Sequence, residues 1–362
     1  MDFTYLHYLQ LFVPQGITLD MLEKSYVLYF DETNNTKKFH LKDDDRLNVP
    51  VGVRFVLGGI DCDNTLSQDE LNNALSLQKT SNELKFDQIY GHADWYDFSP
   101  VLKSSRLSKY LSLLENKGAL FHFSSINLFY FALVDIIDSL DFNIAYSPFA
   151  LKSILYQVAQ QKTEAFVELF RDNAYPNVKD IDGFLKSLLL IVRRAAIADS
   201  IGQKILLDII VDNIGKEELT FIQDEEENMY IKDFLQFYQE PLWKFANSKI
   251  ILDNEVDMMD GLLRWPVEVD GKKVGYGFVD SKSEPWVQMS DVAVSLVARY
   301  FCFVESDDYE AQIKSFSERQ NDNFKRFNRL LAASEKENKL FWHFTDDIRI
   351  IQRFSDCVMN NL

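Results

Sequence analysis

The sequence predicts an α/β fold, a mixed sheet with flanking helices and a large all-helical insertion. Runs rich in β-forming residues occur at 25–60, at 118–126 and again at 249–280. Between them, residues 128–248 show mainly the apolar spacing of amphipathic helices. The chain also has only 13 Gly and 8 Pro, which is low for an all-β protein and suits long helices.

The length of 362 residues predicts two domains, or one domain with a large insertion. A hydrophobic content of 47% is ample for a core and excludes a disordered chain. The sparse cysteines, Cys62, Cys302 and Cys357, form no CxxC pair and predict a reducing, cytoplasmic setting without a zinc cluster. We expect no signal peptide and no membrane span, since the apolar run at 185–192 ends at two arginines.

The formal net charge is −18. Such a chain does not hold nucleic acid through its overall field, because the phosphate backbone is also negative. Any nucleic-acid binding therefore needs a local basic surface or bound metal ions.

The first half of the core is predicted element by element. Residues 1–20 carry Tyr5, Tyr8 and Phe12 and predict an added strand or short helix. The apolar run from Tyr26 predicts a strand over 25–31 that is buried on both faces. Strand signals at 37–42 and 51–60 follow after short turns, which predicts an antiparallel meander. Glycines in the third strand indicate a bulge or a close backbone approach.

Helical periodicity follows, beginning with a capping box from Ser67 to Glu70. It continues near 82–89 and over 106–116, before a fourth strand at 118–126. In the insertion, Ser147-Pro148 begins one helix, and Asp180 or Asp182 begins another that runs to about 198.

Strand signals return at 249–253, which also ends on an acid. A hairpin is predicted over 265–280 because Asp270-Gly271 is a strong turn signal. An apolar helix follows over 287–301, and further helices complete the chain. The resulting segments are 1–127 and 249–305 for the two parts of the core, 128–248 for the helical insertion and 306–362 for the C-terminal helices.

Acidic residues recur at the ends of predicted strands and on two predicted helices, where a buried and unpaired carboxylate is energetically unfavourable. Three predicted strands end on Asp31, Asp253 and Asp280, and two predicted helices carry Glu83 and Asp291. From the residues alone, Asp31 is either a structural acid that caps its turn or a metal ligand. Clustered buried carboxylates need cations or basic groups, and oxygen-only ligands favour Mg²⁺ or Mn²⁺.

Several segments together resemble the markers of the domain-of-unknown-function 3800 family. They are Tyr29-Phe-Asp-Glu-Thr-Asn-Asn35, Phe55-Val-Leu-Gly-Gly59, Glu83-Leu-Lys85, Ile251-Leu-Asp-Asn-Glu255 and Val279-Asp-Ser-Lys282 with Val287-Gln-Met-Ser-Asp291. The family typically has Ser-Gly where this chain has Thr33-Asn34, and Leu-Ala where it has Met289-Ser290. The resemblance covers roughly 25–126 and 249–303.

This resemblance implies a ribonuclease-H-like core with a two-metal site that uses Mg²⁺ or Mn²⁺ to hydrolyse phosphodiester bonds. The implied metal ligands and catalytic residues are Asp31, Glu83, Asp253 and Asp291. The implied substrate contacts are Glu32, Lys85, Lys282 and Gln288. Asp280 is implied to support the site without binding the metal directly. The implied partner is a nucleic acid or nucleotide, and a role in phage or mobile-element defence is expected by analogy only.

The second hypothesis is a non-catalytic protein-interaction module on the same scaffold, in which the acids are structural and the helical insertion binds a protein. The net charge of −18 favours this alternative. The basic segment 314–329 is more often a solvated helix face, but it is the best candidate for phosphate contact. His92 and His122 are expected to be packing or surface residues.

Overall fold

The computed structural model describes residues 2–4, 16–78, 80–91, 94, 96–143 and 145–362. The predicted N-terminal element around Tyr5, Tyr8 and Phe12 lies outside the described residues, as does His92. The described chain is a mixed α/β protein, as the sequence predicts.

The strands of the described residues are, in chain order, β1 (Asp2–Phe3), β2 (Val27–Thr33), β3 (Phe39–His40), β4 (Arg54–Asp61), β5 (Leu120–Asn127), β6 (Met229–Ile231), β7 (Lys249–Asp253), β8 (Glu268–Val269), β9 (Lys272–Lys273), β10 (Tyr276–Val279) and β11 (Trp342–Thr345). Six of them form the main sheet in the order β10-β7-β2-β4-β5-β11. Strands β2, β4 and β5 pair antiparallel, whereas β7 pairs parallel with β2, β10 with β7 and β11 with β5.

The helices of the described residues are α1 (Leu19–Glu23), α2 (Gln68–Leu75), α3 (Asp87–Tyr90), α4 (Phe98–Val101), α5 (Ser105–Lys117), α6 (Leu128–Asp138), α7 (Pro148–Gln161), α8 (Thr163–Asp172), α9 (Ile181–Arg194), α10 (Ser200–Asn213), α11 (Leu235–Lys244), α12 (Val256–Arg264), α13 (Pro285–Glu305), α14 (Tyr309–Lys314), α15 (Glu318–Glu337) and α16 (Ile348–Asn360). The predicted caps are present at Ser67, Ser147 and Asp180, each of which accepts a backbone hydrogen bond from the first turn of its helix. The described residues of the region 128–248 are mostly helical, and the short strand β6 is the only strand among them.

One predicted strand pairing is wrong, and another is confirmed only in part. The segment 37–42 contributes only β3, which pairs with β6 outside the main sheet, so the meander is β2-β4-β5. The hairpin at Asp270-Gly271 joins the two-residue strands β8 and β9, and β10 instead pairs parallel with β7. In both cases a local turn signal indicates a partner nearby in the sequence, whereas the observed partner is distant in the sequence. The C-terminal region also adds strand β11 to its helices.

The sheet separates two hydrophobic cores. Leu28 and Phe30 of β2 pack with the insertion helices on one face. Tyr29 of β2 packs with α13, α5, α15 and α16 on the other. Because successive strand residues point to opposite faces, Asp31 lies on the face that α13 covers.

Helix α13 packs very closely on β4. A Cβ at Gly59 would lie 2.2 Å from the Ser290 hydroxyl oxygen, and the φ of Gly59 is +155°. Ser290 uses this proximity: its Oγ accepts a hydrogen bond from Ile60 N and lies 3.0 Å from Tyr29 O. The predicted close backbone approach is therefore present. It sets the distance between α13 and the sheet, including β2, the strand that carries Asp31.

Among the described residues, α13 alone is long and apolar enough to cross a membrane by length and composition. Almost all of its residues are buried between the sheet and the C-terminal helices, as in the central helix of a folded core.

Candidate functional site

The register of the sheet places Asp31 next to Asp253. Phe30 of β2 pairs with Leu252 of β7, so the residues that follow them are neighbours at the carboxyl ends of parallel strands. Ile251 belongs to the core on the α13 face, so Asp253, two residues later, lies on that face together with Asp31. Two of the four predicted ligands are thus brought together by strand pairing alone.

Asp31 is buried, with 6% of its surface exposed. Its Oδ1 accepts a hydrogen bond from Glu32 N at 2.7 Å, but its Oδ2 has no hydrogen-bond partner within the described structure. Burial raises the pKa of this carboxyl well above its usual range, and the negative charges of Asp291, Glu32 and Asp253 raise it further. A buried carboxylate oxygen without a donor is costly, and it is the kind of atom that a cation satisfies.

Asp291 approaches Asp31 from α13. Its Oδ2 accepts a hydrogen bond from Phe86 N at 3.0 Å. Burial raises the pKa of Asp291, while the positive charge of Lys85 and the Phe86 hydrogen bond oppose this increase. Burial raises the pKa of Asp253 as well, again against the charge of Lys85.

Glu83 does not lie on a helix, contrary to the prediction. The segment 81–85 is irregular, and only the four residues of α3 after it are helical. Side chains of α13 hold this irregular segment by its backbone: Gln288 Oε1 accepts from Leu84 N at 2.7 Å, as Asp291 accepts from Phe86 N.

Glu83 is nevertheless brought to the cluster. Its Oε1 accepts a hydrogen bond from Ser281 Oγ at 3.0 Å and forms an ion pair with Lys85 Nζ, also at 3.0 Å. Ser281 N donates to Asp253 Oδ1 at 3.2 Å, so this one serine contacts two of the predicted ligands. The sequence analysis missed Ser281, although its position directly after the strand-end Asp280 is a signal that could have pointed to it.

Lys85 is the positive charge of the cluster. Burial lowers its pKa, but the pair with Glu83 and the charges of Asp291 and Asp31 outweigh burial and leave the pKa raised. About half of its side chain is exposed, so the ammonium lies at the solvent edge of the acids.

The other predicted contact residues are distributed unevenly. Gln288 is 1% exposed and donates to Ser281 O and Gln68 Oε1 in addition to its bond with Leu84, so it positions the site and does not reach a substrate. Asp280 is exposed and caps the turn after β10 by accepting from Lys282 N at 3.0 Å. The Lys282 side chain is exposed.

Glu32 points to the opposite face of β2 from Asp31, because neighbouring strand residues alternate. Burial raises its pKa, and its Oε1 accepts a hydrogen bond from Asn35 at 3.3 Å. Next to it, Asn34 adopts φ +58°, a left-handed conformation that glycine and asparagine favour.

Within the described residues, no three Asp, Glu, His or Cys side chains converge closely enough to form a metal site as they stand. The contacts above explain this arrangement, since Ser281, Lys85 and Phe86 N each hold a carboxylate oxygen of the cluster. The four predicted ligands are therefore adjacent and electrostatically coupled, but each is held by a donor of the chain itself.

Comparisons with protein-family models, with curated proteins and with solved structures give no match for this chain.

Proposed function

We propose that this protein is a Mg²⁺- or Mn²⁺-dependent phosphodiester hydrolase with a ribonuclease-H-like core, related to the domain-of-unknown-function 3800 family. The observation that carries the proposal is Asp31, a buried carboxylate with an unpartnered oxygen beside Asp253 and Asp291. Three acids from β2, β7 and α13 on one face of the sheet are difficult to retain without a function, because like charges in a buried site repel.

The order of the main sheet supports the same fold assignment. An antiparallel meander of β2, β4 and β5 is extended by β7 and β10, both parallel to β2. This is the strand order expected of a ribonuclease-H-like core, in which the first and fourth strands carry acids. The departures from the family pattern are also compatible: Asn34 adopts the left-handed conformation that the family's glycine suits, and Ser290 is a small residue beneath Gly59.

In this proposal Asp31, Asp253, Asp291 and Glu83 hold the metal. When bound, divalent ions would lower the pKa of water and stabilise charge on the phosphate oxygens. The side chains of the protein supply the remaining functions. Gln288 fixes the Leu84 backbone against α13, and Ser281 orients both Glu83 and Asp253. Lys85, half exposed beside the acids, is placed to contact a substrate phosphate once Glu83 binds metal.

Calorimetric titration with Mn²⁺ tests the proposal directly. We expect the wild type to bind Mn²⁺ and Asp31→Asn to lose this binding, with parallel loss of hydrolysis of single-stranded DNA or RNA. Asp135→Asn is the matched control, because Asp135 is another carboxyl whose pKa burial raises, to about 6, but it lies on α6 of the insertion. Equal Mn²⁺ binding by wild type and Asp31→Asn would refute a metal site at β2.

The alternative is a non-catalytic interaction module. It is favoured by the ion pair between Lys85 and Glu83, which neutralises part of the cluster without any metal. In that case, Mn²⁺ should affect neither the wild type nor Asp31→Asn, and the insertion helices would be the surface to search for a protein partner.

A further inference from the structure

A pocket of about 390 Å³ lies between the end of α2, helix α3 and the beginning of α5. Among the described residues, the charged side chains that line it are all basic: Lys103, Arg106, Lys109 and Arg319. The chain as a whole has 56 acidic and 38 basic residues, so a pocket in which every charged lining residue is a cation differs from the overall composition. We call these four residues the basic pocket.

The cations of the basic pocket have neutral partners. Arg106 donates to Gln88 O, Lys109 Nζ donates to Ser76 Oγ at 2.7 Å, and Arg319 donates to Lys103 O at 3.4 Å. On α15, the helix that carries Arg319, two other arginines do have an acidic partner: Arg326 and Arg329 both pair with Glu115. Cations that share a pocket without a counter-ion repel each other, and an anion relieves that repulsion.

The beginning of α5 adds to the positive potential. This helix has 13 residues, and the pocket lies at its N-terminus, where the helix dipole favours negative charge. The capping residue Ser104 already accepts from Arg106 N and Leu107 N at 3.1 and 3.2 Å. A ligand would therefore be recognised mainly by the basic side chains and less by these backbone donors.

The same short segment builds both the basic pocket and the acidic cluster. Phe86 N binds Asp291, Gln88 Oε1 accepts from Lys85 N at 3.2 Å, and Gln88 O accepts from Arg106. The basic pocket is thus connected to the cluster through α3, only a few residues along the chain.

We propose that the basic pocket binds the backbone phosphates of a single-stranded nucleic acid whose scissile phosphate lies at the acidic cluster. This inference rests on the proposed function and assigns its substrate class. Tyr90, 36% exposed, also lines the pocket and offers a ring on which a base can stack. The overall charge of −18 repels such a strand, so a local cationic pocket supplies the attraction.

The test measures binding of fluorescein-labelled single-stranded DNA and RNA of about 12 nucleotides, a typical single-strand site size. Fluorescence anisotropy is recorded in EDTA, which removes any contribution from divalent ions. The test variant is Lys103→Gln/Arg319→Gln, because both side chains are exposed and their loss leaves the Arg106 contact to Gln88 intact. Lys204→Gln, an exposed lysine of α10, is the matched control.

We expect the double variant to bind the strand about tenfold more weakly than the wild type and the control. The dependence of log K on log salt should also become shallower by about 1.4, or 0.7 for each lost phosphate contact. Equal affinity and salt dependence in wild type and double variant, or no strand binding by the wild type, would overturn the inference. Binding of a nucleoside triphosphate alone, lost in the double variant, would also overturn it and assign the pocket to a free nucleotide.

These outcomes are separable from failure of the proposed function. If Mn²⁺ binds at Asp31 but the double variant binds the strand normally, the basic pocket is refuted and the metal site stands. If the strand binds through the basic pocket but Mn²⁺ does not bind, strand binding by the pocket stands, whereas the hydrolase and the scissile phosphate at the acidic cluster are refuted. Asp31→Asn should bind the strand in EDTA at least as well as the wild type, because it removes one negative charge.

Discussion

The substitution Asp31→Asn separates a metal ligand from a structural acid by the sign of its effect on stability. Asparagine preserves the shape of the side chain and the oxygen that accepts from Glu32 N. It removes the negative charge that lies buried beside Asp291 and Asp253. In EDTA near pH 8, we therefore expect the variant to be more stable than the wild type. In saturating Mn²⁺ we expect the reverse.

The magnitudes follow from the unpartnered Oδ2 of Asp31. An unsatisfied buried polar group costs about 1–3 kcal/mol, and more if it is charged. The variant replaces a charged group by a neutral one at this position, so it should gain about 1 kcal/mol in EDTA. Metal at 100 times its dissociation constant stabilises the wild type by about 2.7 kcal/mol. Each kcal/mol shifts Tm by about 2–4 °C in domains of 150–250 residues, so shifts of a few degrees are expected.

The pH dependence provides an internal check. The pKa of Asp31 is raised in the folded state, so its carboxyl favours folding while it is protonated. That contribution is complete below the pKa of the unfolded chain and is lost as pH rises through the folded pKa. In EDTA, the amount by which Asp31→Asn is more stable than the wild type should therefore increase with pH and disappear in acid.

The assay is thermal or urea unfolding of both proteins at several pH values, with EDTA or Mn²⁺. Asp135→Asn serves as control, because it also removes a carboxyl with a raised pKa but should retain the full stabilisation by Mn²⁺. If Asp31→Asn is less stable than the wild type in EDTA at pH 8, Asp31 is a structural acid and the reasoning is refuted.

Three further predictions concern the frame of the site. Gly59→Ala should lower the free energy of unfolding by about 1–3 kcal/mol, because its Cβ would lie 2.2 Å from Ser290 Oγ and displace α13. The displacement should also weaken Mn²⁺ binding. Unchanged urea unfolding and metal affinity would contradict this. Asp346→Ala should lower the free energy of unfolding by about 1–3 kcal/mol, since the fully buried Arg54 loses its 2.6 Å partner and keeps, among the described residues, only Glu305, at 2.7 Å, as a counter-ion. An unchanged free energy of unfolding in urea would be inconsistent with a buried ion pair. Lys85→Met should raise the pKa of Asp253 and Asp291 further, because the charge of Lys85 opposes the effect of burial on both. Mn²⁺ binding should then begin at higher pH. If calorimetry gives the same pH profile for the variant and the wild type, Lys85 is not their counter-ion.

Much of the element order could be predicted from the sequence. The runs at β2, β5 and β7, the caps at Ser67 and Ser147 and the helical character of the insertion are local signals, and the structure contains them. The errors arose where a local signal competed with side chains from elsewhere. The helix predicted near 82–89 is reduced to α3, and the residues before it are irregular and bound through Leu84 N and Phe86 N to Gln288 and Asp291 of α13.

The sequence by itself determined which acids end strands and which residues alternate along β2, because strand period and turn chemistry are properties of consecutive residues. It also determined that any anion binding has to be local, since the net charge is −18. Only the tertiary structure decided that α13 covers the face of the sheet that carries Asp31, that Ser281 joins Glu83 to Asp253, and that Arg319 lies in a pocket with cations from α5. These relations depend on strand register and on helix packing between residues up to hundreds of positions apart, and no local pattern encodes such distances.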